Sequence, residues 1–308
     1  MTLSRDPSTM ELALVVATGN GLFLPNRAEP VLRGRRVGSI AVDGETVWAV
    51  VDGGELHRVD LGGSTELAGT FGGGTATCVH VHNGTVMVGG DDARLWRLGD
   101  DGLAPVESFL AAPTRADWYT PWGGAPSVLS MASLEDDLYV SVHVGGILRS
   151  SDGGETWTDT IDLHVDVHEV VVDPAAGVVW AATGERALAE SRDRGASWEF
   201  HADGLHASYA LAVAVTNAGV LTGVSSGHAA RDGAVVCFDG SRFETVTGLP
   251  HRFAGAVGPR QIAGGGDHAA LVAPGGDGYV SADAGRSWDR VDLPEGGREI
   301  AVASLPGQ

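Results

Sequence analysis

Three observations predict an all-β chain folded as a seven-bladed β-propeller, a ring of four-stranded antiparallel blades closed by pairing its terminal strands. The octapeptide pattern Ser-x-Asp-x-Gly-x-Thr/Ser-Trp occurs three times, at 150–157, 191–198 and 281–288. Paired apolar runs separated by short Gly, Asn or Asp turns recur along the chain at roughly 40 to 50 residues, the length of one blade. The two ends complement each other: residues 298–304 read as an innermost strand with no successor, and 12–24 as second and third strands with no predecessor.

The elements follow in order. Residues 38–51 around Asp43-Gly44, 77–88 around Asn83-Gly84, and 209–224 around Asn217-Ala218-Gly219 each read as an innermost strand, its turn and a second strand. The same grammar covers 169–182. Each octapeptide follows a strand (146–149, 187–190, 278–280) and precedes another (157–161, 198–201, 288–291), which makes it the turn from third strand to fourth. In such a turn the Asp carboxylate accepts backbone N–H bonds, Gly supplies a positive φ, and Trp wedges into the adjacent layer. Blades then begin near residues 30, 72, 125, 165, 206, 256 and 297, the last completed by the N-terminal strands. Residues 1–10 are expected to be a flexible terminus and 11–308 a single domain. Closing the ring removes sheet edges that would otherwise template aggregation.

The three octapeptides resemble the Asp box of BNR-repeat propellers, a group with the sialidase-like superfamily fold. The stretch from Trp118 to Tyr209 is also similar to bacterial and archaeal propellers with BNR-like repeats, through 119–126, 143–146 (His-Val-Gly-Gly), 166–169 (Asp-Val-His-Glu), and His206 with Tyr209. The resemblance implies a propeller scaffold with structural Asp boxes. Sialidases add an arginine triad and an Arg-Ile-Pro motif; the chain lacks the motif and shows no triad, so sialidase activity is not expected.

Composition sets bounds. The formal charge is −20, and all 20 basic residues are Arg, so the surface repels nucleic acid and anionic membranes. No leader-like segment and no apolar run near 18 residues is present, which makes the cytoplasm the expected location. Cys78 in an innermost strand and Cys237 in a third strand three blades away are expected to be buried, unbridged thiols.

Connections from second to third strand and from blade to blade share one face, opposite the Asp boxes. Of the 11 histidines, His143, His164, His168, His201, His206, His228 and His251 fall on that face by this scheme. The longest connection, 111–126, joins it with Trp118, Tyr119 and Trp122. Long loops on a rigid scaffold are where sites sit. Strand alternation sends His168 and Glu169 to opposite sides, and His168 is assigned to the central funnel.

The constellation admits three readings. In one, the face binds a small polar, sugar-like ligand and acts as a hydrolase or lyase, with Asp166, His168, Glu169 and Tyr209 as catalytic groups. Trp118, Tyr119, Trp122, His143, His206, His228 and Arg260 would bind the ligand. In the second, His143, His168 and His206, with Asp166 or Glu169, ligate a divalent metal as the cofactor. In the third, the disc is a non-catalytic scaffold for a protein partner, as in Asp-box propellers that act as assembly factors.

Overall fold

Alternating apolar residues in short runs bounded by turns form 27 β-strands among the described residues, 13–120 and 123–303, of the computed structural model. The terminus 1–10, expected to be flexible, and Trp122 lie outside the described residues.

Each blade runs from an innermost strand outwards, antiparallel throughout. Blade 1 comprises β3 (Val37–Asp43), β4 (Thr46–Val51), β5 (Glu55–Asp60) and β6 (Thr65–Thr70). Blade 2 comprises β7 (Ala76–His82), β8 (Thr85–Gly90), β9 (Arg94–Gly99) and β10 (Gly102–Pro105). Blade 3 holds β11 (Val128–Leu134), β12 (Asp137–Val142), β13 (Gly146–Ser150) and β14 (Thr158–Asp159). Blade 4 holds β15 (Val167–Asp173), β16 (Val178–Thr183), β17 (Ala187–Ser191) and β18 (Glu199–His201). Blade 5 is β19 (Tyr209–Thr216), β20 (Gly219–Ser225), β21 (Ala234–Phe238) and β22 (Phe243–Thr245). Blade 6 is β23 (Ile262–Gly265), β24 (His268–Val272), β25 (Gly278–Ser281) and β26 (Asp289–Val291).

Blade 7 closes the ring as expected: β27 (Gly297–Ala303) pairs with β1 (Ala13–Thr18), which pairs with β2 (Gly21–Phe23). Its fourth position is taken by Val31, which exchanges two 2.9 Å backbone hydrogen bonds with Leu22. Apolar layers between neighbouring blades make up the core; Leu138, Val140 and Leu148 of blade 3, for example, share a cluster with Phe109 and Trp157. Both cysteines are buried and free.

The three octapeptides adopt one geometry. Ser150 Oγ donates to Asp152 Oδ1 (2.8 Å) and accepts from Gly154 N (2.7 Å), while Asp152 accepts from Thr156 N (2.9 Å) and Thr156 Oγ1 (2.5 Å). The same bonds recur around Asp193 and Asp283. The central glycines have φ of 91°, 90° and 87°, a region that side chains disfavour.

A β-bulge recurs at the start of the innermost strands of blades 1 to 5 and 7. In four of them the next side chain accepts the N–H of the following blade: Ser39 from Val79, Ser130 from Val170, Glu169 from Val213, and Glu299 from Ile40 (3.3, 2.8, 2.9 and 3.0 Å). Blades are therefore clasped by polar contacts around the central channel as well as by apolar layers.

Arg260, in the connection before β23, seals the upper end of that channel. Its guanidinium donates to Leu129 O (2.8 Å) and Thr77 O (3.3 Å), and Nε lies 3.1 Å from Glu299 Oε2. Its main-chain N–H donates to Glu169 Oε1 (3.1 Å). Below it lies a cavity of about 550 Å³ whose lining runs down to Asp43, Asn83 and Gly84, on the face of the octapeptide turns.

The octapeptide turns carry a pH signature. Hydrogen bonds from the Thr156 hydroxyl and N–H and from Ser150 hold Asp152 down to about 2, below its ordinary 3.8. A carboxylate depressed in the fold contributes stability that is present above its unfolded pKa and lost as pH falls through the folded one. Thermal melting should place Asp152→Asn below wild type at neutral pH, with the gap closing between about pH 4 and pH 2. A gap that stays constant through this window would show that the carboxylate bonds do not stabilise the turn.

Candidate functional site

The upper-face site grows from the bulge that opens β15. Val167 pairs with Thr183 and Glu169 with Ala182, leaving His168 as the extra residue. The bulge inverts the expected assignment: Glu169, not His168, faces the channel, where Val213 and Arg260 N–H groups bind its carboxylate. Burial pushes Glu169 up to about 8 against the pull of Arg260. Both its oxygens are committed to the ring, so the catalytic assignment of Glu169 is replaced by a structural one.

His168 leans instead toward blade 5. Its Nδ1 donates to Ala210 O (2.7 Å), which leaves Nε2 to accept from the Tyr209 hydroxyl (3.1 Å). Nε2 also lies 3.3 Å from Asp166 Oδ2, and His143 Nε2 lies 3.1 Å from Asp166 Oδ1. One carboxylate thus sits between two imidazoles contributed by adjacent blades. Burial alone would raise the Asp166 pKa, but contacts from His143 and His168 hold it well below the usual carboxylate range. Burial and the Asp166 charge push Tyr209 up to about 12, so it stays a phenol and a donor at neutral pH.

The backbone around these side chains is constrained. Val144, next to His143, has φ of 51°, a left-handed conformation that costs a β-branched residue about 1–3 kcal/mol. The turn is held from outside, since Val144 O accepts from Tyr119 N (3.3 Å) and a Cβ at Gly145 would fall 3.1 Å from Trp118 Cγ. Gly184 N donates to Asp166 O (2.8 Å), and a Cβ at Gly184 would lie only 2.5 Å from Asp166 Oδ2.

Other expected site residues are placed differently. Trp118 is 7% exposed, packed on Phe109 at 5.6 Å with Nε1 bonded to Thr114 Oγ1 (3.1 Å), because the helix α1 (Glu107–Leu110) supplies Phe109 as a floor beneath it. It is a core residue, not an exposed stacking surface. Tyr119 remains 44% exposed, edge-on to His164. Arg260 belongs to the channel, as described. His206 Nε2 bonds Asp232 O (3.0 Å) and joins neither His143 nor His168, so Asp166 takes its place in the expected trio. His228 stands 6.5 Å from the Tyr209 ring, at the margin. His201 ends the outer strand β18, bound to Glu190 (2.8 Å) and stacked on Phe238, apart from the group around Asp166.

Asp166 also forms part of the wall of a cleft of about 640 Å³ between blades 3 and 4. Tyr119, His164, Trp198 and Phe200 supply rings; Asp162, Glu185 and Arg186 supply charge. Arg186 lies over the Phe200 ring at 4.5 Å. Glu185 and Arg186 were not singled out from the sequence; they lie in a second-to-third-strand connection, and the loop rule applied to that connection finds them. Trp198 could not be found this way, since its octapeptide marks it as a wedge. Unlike Trp157 and Trp288, which are 7% and 4% exposed, it is only partly buried and borders the cleft.

A methyl group added at Gly184 tests the packing around Asp166. Gly184→Ala should displace the carboxylate, shift the imidazole 15N resonances of His143 and His168, and cost about 1–3 kcal/mol, the range of local overpacking. Unchanged imidazole resonances would contradict the contact.

The chain matches no protein-family model and no curated protein. Among solved structures it is similar to a xyloglucanase of family GH74 from Xanthomonas campestris, with TM-score 0.60 and 15% identity over 92% of this chain and 47% of that one. It is similar to YCF48 bound to a D1 peptide, with TM-score 0.55 and 13% identity over 94% of this chain and 91% of that one. It is also similar to a chain in a nidogen/laminin complex, with TM-score 0.56 and 11% identity over 96% of this chain and all of that one. At these identities the likeness establishes the propeller architecture.

Proposed function

We propose that the cleft between blades 3 and 4 binds a small polar, sugar-like ligand whose inner end meets Asp166, His168 and Tyr209. The observation that carries this reading is the double role of Asp166, which is both a wall of the cleft and the shared partner of His143 and His168. An ionised carboxylate accepts hydrogen bonds from hydroxyl groups, and the Tyr209 oxygen beside it, its proton given to His168, accepts another. Tyr119 and Trp198 offer apolar ring faces, and Arg186 with Glu185 offers charged partners further out. In hydrolase-like turnover Asp166, already ionised, takes the base side. A two-carboxylate scheme through Glu169 is not part of the reading, because that side chain is bound in the channel. The three equivalent turns support placing the chain among Asp-box propellers.

A second reading is supported by Tyr119, a large ring left 44% exposed at the mouth of the cleft: the same face docks a protein partner. A glycan array followed by calorimetry and a chromogenic glycoside panel separates the two. The cleft reading predicts binding of at least one oligosaccharide class, weakened about tenfold or more by Tyr119→Ala and by Asp166→Asn, equivalent to about 1.4 kcal/mol. Wild-type protein that binds no glycan overturns it.

A further inference from the structure

We infer that His143, Asp166 and His168 form a binding site for one divalent transition-metal ion of the zinc or iron(II) class. The inference concerns the inner end of the cleft but does not need the sugar-like ligand. Metal binding is measured with no organic ligand present, so its failure leaves the cleft reading standing.

Donor identity and spacing come first. Two imidazole nitrogens and a carboxylate oxygen all lie within 4.8 Å of one another. Ligands about 2.0–2.2 Å from a common ion must be that close together. Two imidazoles with one carboxylate suit zinc, iron, cobalt or nickel, and three protein ligands leave positions open for water or substrate.

Orientation is the second observation. His168 Nδ1 is committed to Ala210 O at 2.7 Å, and this fixes the tautomer that aims the Nε2 lone pair into the cluster. Metal-bound histidines are held in this way by their other nitrogen. The ring is 4% exposed, so it has little freedom to turn away.

Charge is the third. Among the described residues the ion pairs of Asp166 are with His143 and His168, and none is with an arginine. Asp166 Oδ1 is buried and lacks a well-directed hydrogen bond despite its 3.1 Å approach to His143. A cation placed between the three groups would satisfy that oxygen.

A second cluster supplies the contrast. Glu190, Glu199 and His201 also approach within 4.8 Å, but Glu190 already pairs with Arg192 as well as with His201. Its negative charge is compensated by protein, and His201 is stacked on Phe238 at 4.5 Å. The upper-face cluster is the one with room beside it, since Asp166 opens onto the cleft.

The test uses the full chain, treated with a chelator and titrated calorimetrically with zinc sulfate and with cobalt chloride. The expected result is one ion per chain, with cobalt giving the visible absorption of a site containing nitrogen and oxygen ligands. Asp166→Asn and His143→Gln should each weaken binding at least about 10- to 100-fold, the loss seen when even an outer partner of a metal ligand is removed. His201→Gln should leave it unchanged. Both cluster variants lie at the partly open edge of the site, and circular dichroism confirms their fold. Absence of binding in wild type, retention in both cluster variants, or loss in His201→Gln would each overturn the inference.

Discussion

A single arginine ties the ring together. Arg260 reaches Thr77 of blade 2 and Leu129 of blade 3 through its guanidinium, Glu169 of blade 4 through its N–H, and Glu299 of blade 7 through Nε. Its carbonyl accepts from Ile300 N (3.1 Å). Glu169 and Glu299 pass the connection on to Val213 of blade 5 and Ile40 of blade 1. With Arg260 itself standing before blade 6, every blade is within two polar contacts of one residue. The arrangement is costly to assemble, because buried charges lose hydration, and it is tolerated because each charge meets a partner and several backbone groups. Its geometry also demands a left-handed residue, and Arg260 has φ of 58°.

The hub sets the site as well as the ring. Glu169 is drawn into the channel by two N–H groups, and the bulge beside it leaves His168 free to turn to the upper face. There Ala210 O and Tyr209 capture the ring. The chemistry at Asp166 thus depends on a structural carboxylate three residues along the same chain. The strained Val144 turn, held by Tyr119 and Trp118, brings His143 to the other side of the same carboxylate. Two unrelated devices, a bulge and a left-handed turn, converge on one group.

How much of this the residues announce varies with the physics involved. Strand periodicity, turn residues and the octapeptides are local, so the blades, the ring closure and the octapeptide turns were all legible. The face of His143, Asp166, His168 and Tyr209 was legible too, since loop class follows from strand count. The parity of His168 and Glu169 was not: a bulge inserts one residue with no mark in composition, and every side chain after it changes sides. Trp118 was misplaced because Phe109, which covers it, sits in a short helix with no strand-like signature. Arg260 was assigned to the upper face correctly in height but not in direction, because only the closed ring shows that a channel lies beneath it.

The claim on which the fold and the site both rest is that Arg260 and its two carboxylates act as one unit. A double-mutant cycle on Arg260→Met and Glu299→Gln, measured by equilibrium urea unfolding, tests it most directly. The account predicts a loss of about 3 kcal/mol for Arg260→Met, which leaves the buried Glu299 carboxylate without its partner. It also predicts a double variant less destabilised than the sum of the singles, by about 1 kcal/mol or more. Additive effects, each within about 0.5 kcal/mol of wild type as for ordinary surface substitutions, would contradict it.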